Sequence, residues 1–574
     1  MRFLPLALVL LGTTPQDAID RSPVDVALTD DGRWAVTANA ASDTASLVDL
    51  AEGKVDAEAA VGKKPFAVAL RGTLAVVTNW LSDSITLLDV APPKLTAAAT
   101  IEVGDEPRGI ALADGRAFVA LSGDDAVAVV DLKTRKVTSR IAVGAEPWHV
   151  ALTPDGKRLA VGCARSMEVR VIDTATLETL YTVKMRGHNL RRLAVSPDGA
   201  WAYACNIAER GAPANKGNID RGWVIASRLS RIPLREEGPR EAIALDAKKA
   251  AVGDPDGVAV SPDGGRLAIA AGGTGELLLL RLPLPFVASG GPGDLIEPAL
   301  LRDARRFRRI DLGGRPVAAV FARDGKSIVV ANALANALQV VDEEGNVRAV
   351  GVGGPANPSL ARRGEAIFYD AKRSFGQWYS CHTCHTDGHT NGGSFDTFND
   401  GKYGNSKKTL SLRGVAKTSP YTWHGREKDL RASLEHSLTQ TLQGPKPTAD
   451  DLDALLAFVS TIDFVPPRAP ADGEAVKRGA AVFKAKNCAG CHAGPEYTSD
   501  QSYEVGLEEA GDAYKGFNPP SLRGVGTRGP WLHDGRARTL EELFTRHHRA
   551  SKVAATEDLT AEELKDLVAF LKGL

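Results

Sequence analysis

The sequence predicts a multidomain protein in which an all-β seven-bladed propeller is followed by two all-α domains. Two observations carry this prediction. A repeat of about 40 residues fills the first 355 of the 574 positions, and a duplicated segment with helical apolar spacing fills the rest. The formal net charge of -1 gives no basic field for binding nucleic acid, so we expect no nucleic acid as a partner.

The first 18 residues have the pattern of a secretory signal peptide. Arg2 supplies a positive start, an apolar run covers 3–11, and small or polar residues follow. The apolar run is too short to cross a bilayer, so we expect no membrane span. We therefore expect a protein that is periplasmic or otherwise exported.

Residues 20–355 form the repeat, and most of its units open with a proline. The positions that mark the units are Pro23, Pro65, Pro107, Pro147, Asn189, Pro255 and Pro316. Each unit contains four short segments of alternating apolar residues, separated by turns such as the one at 153–156. Four strands in each of seven units predict a propeller. Two units are longer because of inserted loops at 208–221 and 283–306.

Two pentapeptides in the C-terminal part read Cys-x-x-Cys-His. This spacing is the attachment signature of c-type haem, in which two thiols bond to the porphyrin and the next imidazole binds the iron. The predicted cofactor residues are Cys381, Cys384, Cys488 and Cys491 for covalent attachment, with His385 and His492 as iron ligands. The alternatives are a thioredoxin-like pair, which needs no histidine, and a zinc site, which needs the two pairs to converge. Whether a structural calcium is also bound is left open.

The two haem motifs lie in duplicated units, which predicts two all-α cytochrome c-type domains at 359–465 and 470–574. Each unit has an Arg-Gly pair before its motif and a Ser-Leu-Arg-Gly-Val segment after it. Each ends in an amphipathic helix that begins after a threonine, Thr448 or Thr560. Prolines separate the units, as expected for a linker.

The haem region contains no methionine, so the usual His/Met ligation is impossible within this chain. Met1, Met167 and Met185 all precede it. Since methionine ligation raises the reduction potential, both haems should have lower potentials than a His/Met haem. The candidate distal ligands are His389, His424, His436, His533, His547 and His548.

The repeat units resemble the YVTN family of β-propellers, and residues 359–574 resemble the bacterial diheme cytochrome c peroxidases and the related methylamine-utilisation diheme enzyme. The strongest motifs of the second resemblance are at 519–525, 530–535 and 539–542. It implies that His547, seven residues after Leu540, is the distal ligand of the second haem. It also implies that Trp423 is an electron bridge between the haems, although a packing role beneath the haem stays open.

The first unit departs from the family pattern. Ser433 and Gln443 stand where the family has a glutamine and a glutamate on the open face of the haem. Cleavage of a peroxide needs a group that takes up a proton and returns it to the leaving oxygen. Glu435 or His436 is expected to do this, unless His436 binds the iron and closes the site.

The leading hypothesis is an exported diheme oxidoreductase of the peroxidase type. A small redox donor protein would supply electrons to the second haem, Trp423 would pass them on, and the first haem would reduce hydrogen peroxide or another small oxidant. The propeller would be a scaffold or docking face, and the charged and aromatic residues at its mouth form either a ligand site or a solvated rim. One alternative is a non-catalytic electron-transfer protein whose propeller binds a partner. Another is substrate oxidation in the propeller, with the haems as the electron exit.

Overall fold

The computed structural model of this protein describes residues 19–113, 115–288, 291, 293–466, 472–527 and 529–574. The predicted signal peptide and part of the proline-rich linker between the helical domains lie outside these residues. Within the described ranges, no helix has both the length and the apolar character that crossing a membrane requires.

Seven antiparallel four-stranded sheets form the N-terminal part, which confirms the predicted seven-bladed propeller. The four strands of every sheet follow one another in chain order. Six sheets begin at the proline that marks their unit, because a residue without an N–H group is tolerated at the start of a strand. The fifth sheet begins at Leu193, a few residues after the predicted marker Asn189.

The strands of blades 1 to 4 are β1 (Pro23–Leu28), β2 (Trp34–Asn39), β3 (Thr44–Asp49), β4 (Lys54–Ala60), β5 (Pro65–Arg71), β6 (Leu74–Asn79), β7 (Ser84–Ala91), β8 (Lys94–Glu102), β9 (Pro107–Ala113), β10 (Arg116–Leu121), β11 (Ala126–Asp131), β12 (Lys136–Ala142), β13 (Pro147–Leu152), β14 (Arg158–Cys163), β15 (Glu168–Asp173) and β16 (Thr179–Lys184). Those of blades 5 to 7 are β17 (Leu193–Val195), β18 (Trp201–Ala208), β19 (Ala226–Pro233), β20 (Glu241–Ala244), β21 (Pro255–Val260), β22 (Arg266–Ala271), β23 (Glu276–Arg281), β24 (Phe307–Asp311), β25 (Pro316–Phe321), β26 (Ile328–Asn332), β27 (Ala337–Val341) and β28 (Val347–Gly351). The two insertions carry the short helices α1 (Lys216–Ile219) and α2 (Pro298–Leu301).

The ring closes between the first and last blades, where β1 packs against β25 as well as β5. The backbone N–H groups of Arg21 and Ser22 both donate to the side-chain oxygen of Asn336 at 2.9 Å. Arg362, from the helical part of the chain, donates to the Ser22 hydroxyl at 2.8 Å and to the Ala333 carbonyl at 2.6 Å. The first helical domain therefore contributes to the closure of the propeller.

The helical domains share one arrangement, in which the first and last long helices pack together. The elements of the first are α3 (Leu360–Tyr369), α4 (Cys381–Cys384), β29 (Ser394–Phe395), β30 (Lys407–Lys408), α5 (Leu430–His436), a π-helical turn at Ser437–Thr441, and α6 (Ala449–Val459). Those of the second are α7 (Gly473–Ala485), α8 (Leu540–Glu542), a π-helical turn at Leu543–His547, α9 (Ala550–Val553) and α10 (Ala561–Lys572). As predicted, Thr448 and Thr560 cap α6 and α10.

The repeated Arg-Gly pairs mark the points where these helices cross. A Cβ atom on Gly364 in α3 would lie 1.8 Å from the carbonyl oxygen of Ala454 in α6. A Cβ atom on Gly479 in α7 would lie 2.0 Å from the carbonyl oxygen of Asp566 in α10. Both crossings therefore require glycine, because any side chain would force the helices apart.

The insertion of blade 5 packs on the first helical domain and shares its core. Residues of this insertion and its flanks are buried in one apolar cluster with residues of the helical domain: Ala214, Ile219, Val224 and Ile225 with Phe368, Trp378, Tyr379 and Leu455. Because burial of apolar surface is the dominant favourable term in such contacts, the two parts of the chain form a single packed body here.

The first helical domain covers the mouth of the propeller. The mouth is therefore neither the open ligand site nor the solvated rim that the sequence left as alternatives. Asp387 of the first haem-motif loop lies between three arginines of the propeller. Its carboxylate is 3.6 Å from Arg108, 3.8 Å from Arg191 and 3.7 Å from Arg315, all of which are buried. Although burial opposes it, the charge of these arginines lowers the pKa of Asp387 far below its usual range.

Removing the charge of Asp387 should weaken this contact. We expect Asp387→Asn to lower the midpoint of thermal unfolding by several degrees at pH 7, because breaking a buried ion pair costs about 3 kcal/mol. The difference from wild type should shrink as pH falls below about 4, because a carboxylate whose pKa is lowered by folding loses its stabilising contribution as it is protonated.

The control for this variant is Asp463→Asn. Asp463 pairs with Lys417 at 2.7 Å, but its side chain is 60% exposed. Such exposed pairs contribute about 0–1 kcal/mol. Equal losses in the two variants would contradict the proposed contribution of the arginine cluster.

Candidate functional site

The helix α4, which carries the first Cys-x-x-Cys-His motif, is anchored by the propeller. The hydroxyls of Ser380 and Thr383 donate to the two carboxylate oxygens of Asp254, at 2.6 and 2.5 Å. The side-chain amide of Asn189 donates to the carbonyl oxygen of Thr383 at 2.7 Å. Ser380 and Thr383 are buried, so these bonds fix one orientation of the motif on the propeller.

The histidines of both motifs have the orientation that the predicted iron ligation needs. His385 Nδ1 lies 2.9 Å from the carbonyl oxygen of Leu410, and His492 Nδ1 lies 3.1 Å from that of Tyr497. A carbonyl only accepts, so Nδ1 carries the proton and Nε2 presents its lone pair. Burial lowers the pKa of each histidine to about 4, which keeps both imidazoles neutral at pH 7.

The cavity beside the first motif lies at the seam of the two helical domains. Its lining includes Cys381, Cys384, His385 and Trp423 of the first domain and Thr498, Asn518, Pro520 and Ser521 of the second. Two thiols next to a correctly oriented imidazole, in a cavity that also has apolar walls, form a donor set that fits a thioether-linked haem.

Trp423 lies at this seam and touches the second domain. Its Nε1–H donates to the carbonyl oxygen of Lys408 at 2.7 Å, which fixes the plane of the indole. Its ring stands edge-on to the imidazole of His533, with 6.2 Å between the ring centroids. The predicted bridging residue is thus placed between the domains that carry the two motifs.

Glu435 and His436 are not among the residues that line the first cavity. The side of α5 and its π-helical turn that faces the cavity carries Leu430, Ser433, Leu434, Ser437 and Thr441. Glu435 is instead partly exposed and pairs with Lys446 at 3.3 Å. The structure therefore does not bring the two predicted acid–base residues to the cavity.

The second motif is more exposed than the first. Ala489 and Gly490 between its cysteines are exposed, whereas His382 and Thr383 at the same places in the first motif are buried. This difference follows from the propeller, which covers the first motif. A protein partner can approach the second motif more closely.

Two adjacent histidines lie at the end of the π-helical turn in the second domain. His547, the ligand implied by the family resemblance, is 26% exposed and lies 3.9 Å from Glu542. Among the described residues, the buried Nδ1 of His548 has no hydrogen-bond partner. Burial is the main cause that lowers the pKa of His548 to about 4, so its imidazole is neutral at pH 7.

The chain matches three family models. Residues 107–211 match the YNCE-like beta-propeller model, residues 358–465 the di-haem cytochrome c peroxidase model, and residues 476–574 the cytochrome c model. These matches agree with the order of the folds described above. They confirm the predicted combination of a propeller with a peroxidase-like haem region.

Relatives of known identity match the chain as well. Methylamine utilization protein MauG of Methylorubrum extorquens is 26% identical over an alignment that covers 38% of this chain and 79% of that protein. Hydrazine synthase subunit gamma of Kuenenia stuttgartiensis is 28% identical, with the same coverages of 38% and 79%. The solved hydrazine synthase of Kuenenia stuttgartiensis shares the fold, with a TM-score of 0.51 and 23% identity over 59% of this chain and 100% of that chain.

The residues that join the propeller to the haem region could not be predicted from the sequence. Asp254 immediately precedes the marker Pro255, and Asp387 follows the first haem motif, but neither belongs to a recognisable motif. The partners that each of them contacts in the other fold lie more than 70 positions away along the chain. The available signal was that one carboxylate lies next to the marker Pro255 and the other lies close to the first haem motif. This signal does not identify the partner of either carboxylate.

Proposed function

Because residues 358–574 combine a peroxidase-like haem domain with a second cytochrome c domain, we propose that this oxidoreductase is an exported diheme enzyme. Haem 1 would be attached at Cys381 and Cys384, and haem 2 at Cys488 and Cys491. When bound, the haems supply one-electron transfer and an iron site for hydrogen peroxide or another small oxidant. The observation that carries the proposal is the shared cavity, in which the first motif and Trp423 meet the second domain.

Electrons would enter at haem 2 and leave at haem 1. The second motif has two exposed residues between its cysteines and would be the one that a small redox donor protein approaches, whereas the first is covered by the propeller. Trp423 lies between the two domains and is held by its bond to Lys408. The propeller then acts as a scaffold for haem 1. The arginines of its mouth pair with Asp387, so the mouth is covered by the first helical domain. This arrangement disfavours substrate oxidation at the mouth.

The distal ligand of haem 2 would be His548, the neighbour of the predicted His547. Its Nδ1 is buried and has no hydrogen-bond partner among the described residues, whereas the side chain of His547 is 26% exposed and lies 3.9 Å from Glu542. Neither Met167 nor Met185 competes, because both are buried in the propeller. Two imidazole ligands would make haem 2 an electron reservoir rather than a substrate site.

The second candidate function is electron transfer without catalysis at haem 1. The part of the first cavity wall formed by α5 and its π-helical turn favours this function. The polar groups of this part of the wall are the hydroxyls of Ser433, Ser437 and Thr441. Hydroxyls are poor proton acceptors near pH 7, and reduction of a peroxide consumes protons as well as electrons. Slow peroxide turnover would agree with this arrangement.

The spin state of haem 1 separates the two functions. Catalysis requires an open iron position, so the half-reduced protein should contain one high-spin haem by absorbance and electron paramagnetic resonance. Two low-spin haems in every redox state would end the catalytic proposal and leave electron transfer.

Single substitutions should identify the ligand of haem 2. His548→Ala should convert haem 2 from low-spin to high-spin, because the iron loses its second imidazole. His547→Ala is the matched control and should keep the low-spin spectrum. The reverse result would assign the ligand to His547, as the family resemblance implies.

Substitution of Trp423 should slow electron transfer between the haems. We expect Trp423→Phe to reduce the rate from haem 2 to haem 1 about tenfold, equivalent to about 1.4 kcal/mol in the barrier, in stopped-flow absorbance. Trp531→Phe is the control, because Trp531 is held in the same way by the Val525 carbonyl but is not among the residues that line the cavity. Equal rates in the two variants would show that Trp423 only packs.

A further inference from the structure

A cavity of about 170 Å³ lies in blade 5 of the propeller, where the strands β18 and β19 meet both insertions. The charged residues of its lining are four arginines and two acids: Arg186, Arg210, Arg228, Arg240, Glu209 and Asp294. Two of these residues come from the insertions, one at 208–221 and the other at 283–306. A concave surface with an excess of positive charge attracts anions.

The face of blade 5 that is directed at blade 4 changes from apolar to polar towards this cavity. Ala204 and Ile232 on this face pack in one apolar cluster with residues of blade 4. Further along the same strands, Asn206 of β18 pairs with Arg228 of β19, and Ser230 stands opposite Ala204. Directly opposite residues and residues two apart share one face of a sheet, so all five side chains lie on this face. Its polar members are all buried.

The buried guanidinium of Arg228 keeps most of its hydrogen-bonding capacity. Its Nη1 donates to the carbonyl oxygen of Ser227 at 3.0 Å and lies 3.9 Å from the carboxylate of Asp246, which is too far for a hydrogen bond. That carboxylate already accepts hydrogen bonds from the backbone N–H groups of Ser227 and Val252. A guanidinium has five N–H donors, so this side chain can still bind an acceptor in the cavity.

Arg186 and Arg240 bring further positive charge to the cavity. Arg240 is half-buried, and its Nη1 donates to the hydroxyl of Ser230 at 3.0 Å. Within the described ranges, neither of these two guanidinium groups forms an ion pair. The charges that act on Arg240 are those of Arg186 and Arg228, which lower its pKa in addition to burial. Arg240 is therefore repelled by its charged neighbours and lacks the opposite charge that a buried cation usually has nearby.

The two acids of the lining have other partners. The carboxylate of Asp294 accepts hydrogen bonds from Nε of Arg210 at 2.8 Å and from the indole N–H of Trp223 at 3.1 Å. The carboxylate of Glu209 lies 3.1 Å from Nε2 of His188. The other three arginines of the cavity are therefore not paired with an acid of its lining.

We propose that this cavity binds one tetrahedral oxyanion of the phosphate or sulfate type between Arg186, Arg228 and Arg240. The guanidinium fork matches the oxygens of such anions. A tetrahedral anion has four oxygens to share among three guanidinium groups, whereas the two oxygens of a carboxylate can be occupied by a single fork. The cavity is large enough for one such anion together with water.

Equilibrium dialysis of the full-length protein with its haems against radiolabelled phosphate tests the site. Wild type should bind one phosphate per chain. Arg186→Gln and Arg240→Gln should each weaken binding about tenfold or more, because each removes a charge-assisted hydrogen bond to the anion. Absence of bound phosphate in wild type, or full affinity in either variant, would overturn the proposal.

The matched control for the charge is Arg235→Gln. Arg235 lies in the same connection between β19 and β20 as Arg240, but its side chain is 65% exposed and pairs with Asp198 at 3.7 Å. This variant should bind phosphate as wild type does. An equal loss of affinity in Arg235→Gln would attribute the effect to net charge and overturn the assignment to the cavity.

Competition by other anions defines the class of ligand. Sulfate should displace the labelled phosphate, whereas acetate at the same concentration should not. Displacement by glycerol phosphate as well would identify a site that accepts phosphate esters, and its failure to compete would identify a site for the free ion. Acetate that competes as well as sulfate, or sulfate that does not compete, would overturn the proposal of a tetrahedral oxyanion.

Selenate, an analogue of sulfate, gives a result that does not depend on any variant. In crystals of the wild-type protein soaked with selenate, the anomalous difference map should show selenium among Arg186, Arg228 and Arg240. Selenium found only at other positions would overturn the assignment. None of these three arginines lines the cavity beside the first haem motif, so this outcome is independent of the catalytic proposal for haem 1.

Discussion

The position of the first haem motif depends on a charged contact between two folds. Asp387 of the first haem-motif loop lies among three buried arginines of the propeller, while Asp254 of the propeller accepts hydrogen bonds from Ser380 and Thr383 at the start of α4 and within it. Charges and hydrogen bonds in a buried interface permit few relative positions, since a displaced group would lose its partner without regaining water. The haem motif is thereby fixed to the β-structure of the propeller, which agrees with the scaffold role proposed for the propeller.

The interface between the two helical domains is the second part of the structure in which the proposed function depends on the relative positions of residues. The lining of the first cavity, which includes Trp423 and His424, lies there, and Trp423 contacts His533 of the second domain. The duplication explains this concentration, because equivalent segments of the two domains face each other. Some equivalent positions of the two helical domains carry different residues, such as Trp423 and its counterpart His533. The two domains can therefore have different roles although they share one arrangement of helices.

Much of the fold could be predicted because its signals are local. Proline marks the first strand of most blades, since a strand can begin without an N–H group there, and the haem motif needs only five consecutive residues. The orientation of His547 and His548 could not be predicted in this way. A π-helical turn at Leu543–His547 changes the face on which each following residue lies, and the sequence gives no sign of it. The contacts of Asp387 and Asp254 are also hidden, because they join positions far apart in the chain.

The hydrogen bonds of Arg362 make the propeller and the first helical domain depend on each other. A helical residue holds together the first and last blades, through Ser22 and Ala333. Without the helical domains, the propeller would lose these hydrogen bonds and would expose the apolar surface of its blade 5 insertion. The two halves therefore depend on each other for stability, and neither is a module that can be removed without loss to the other.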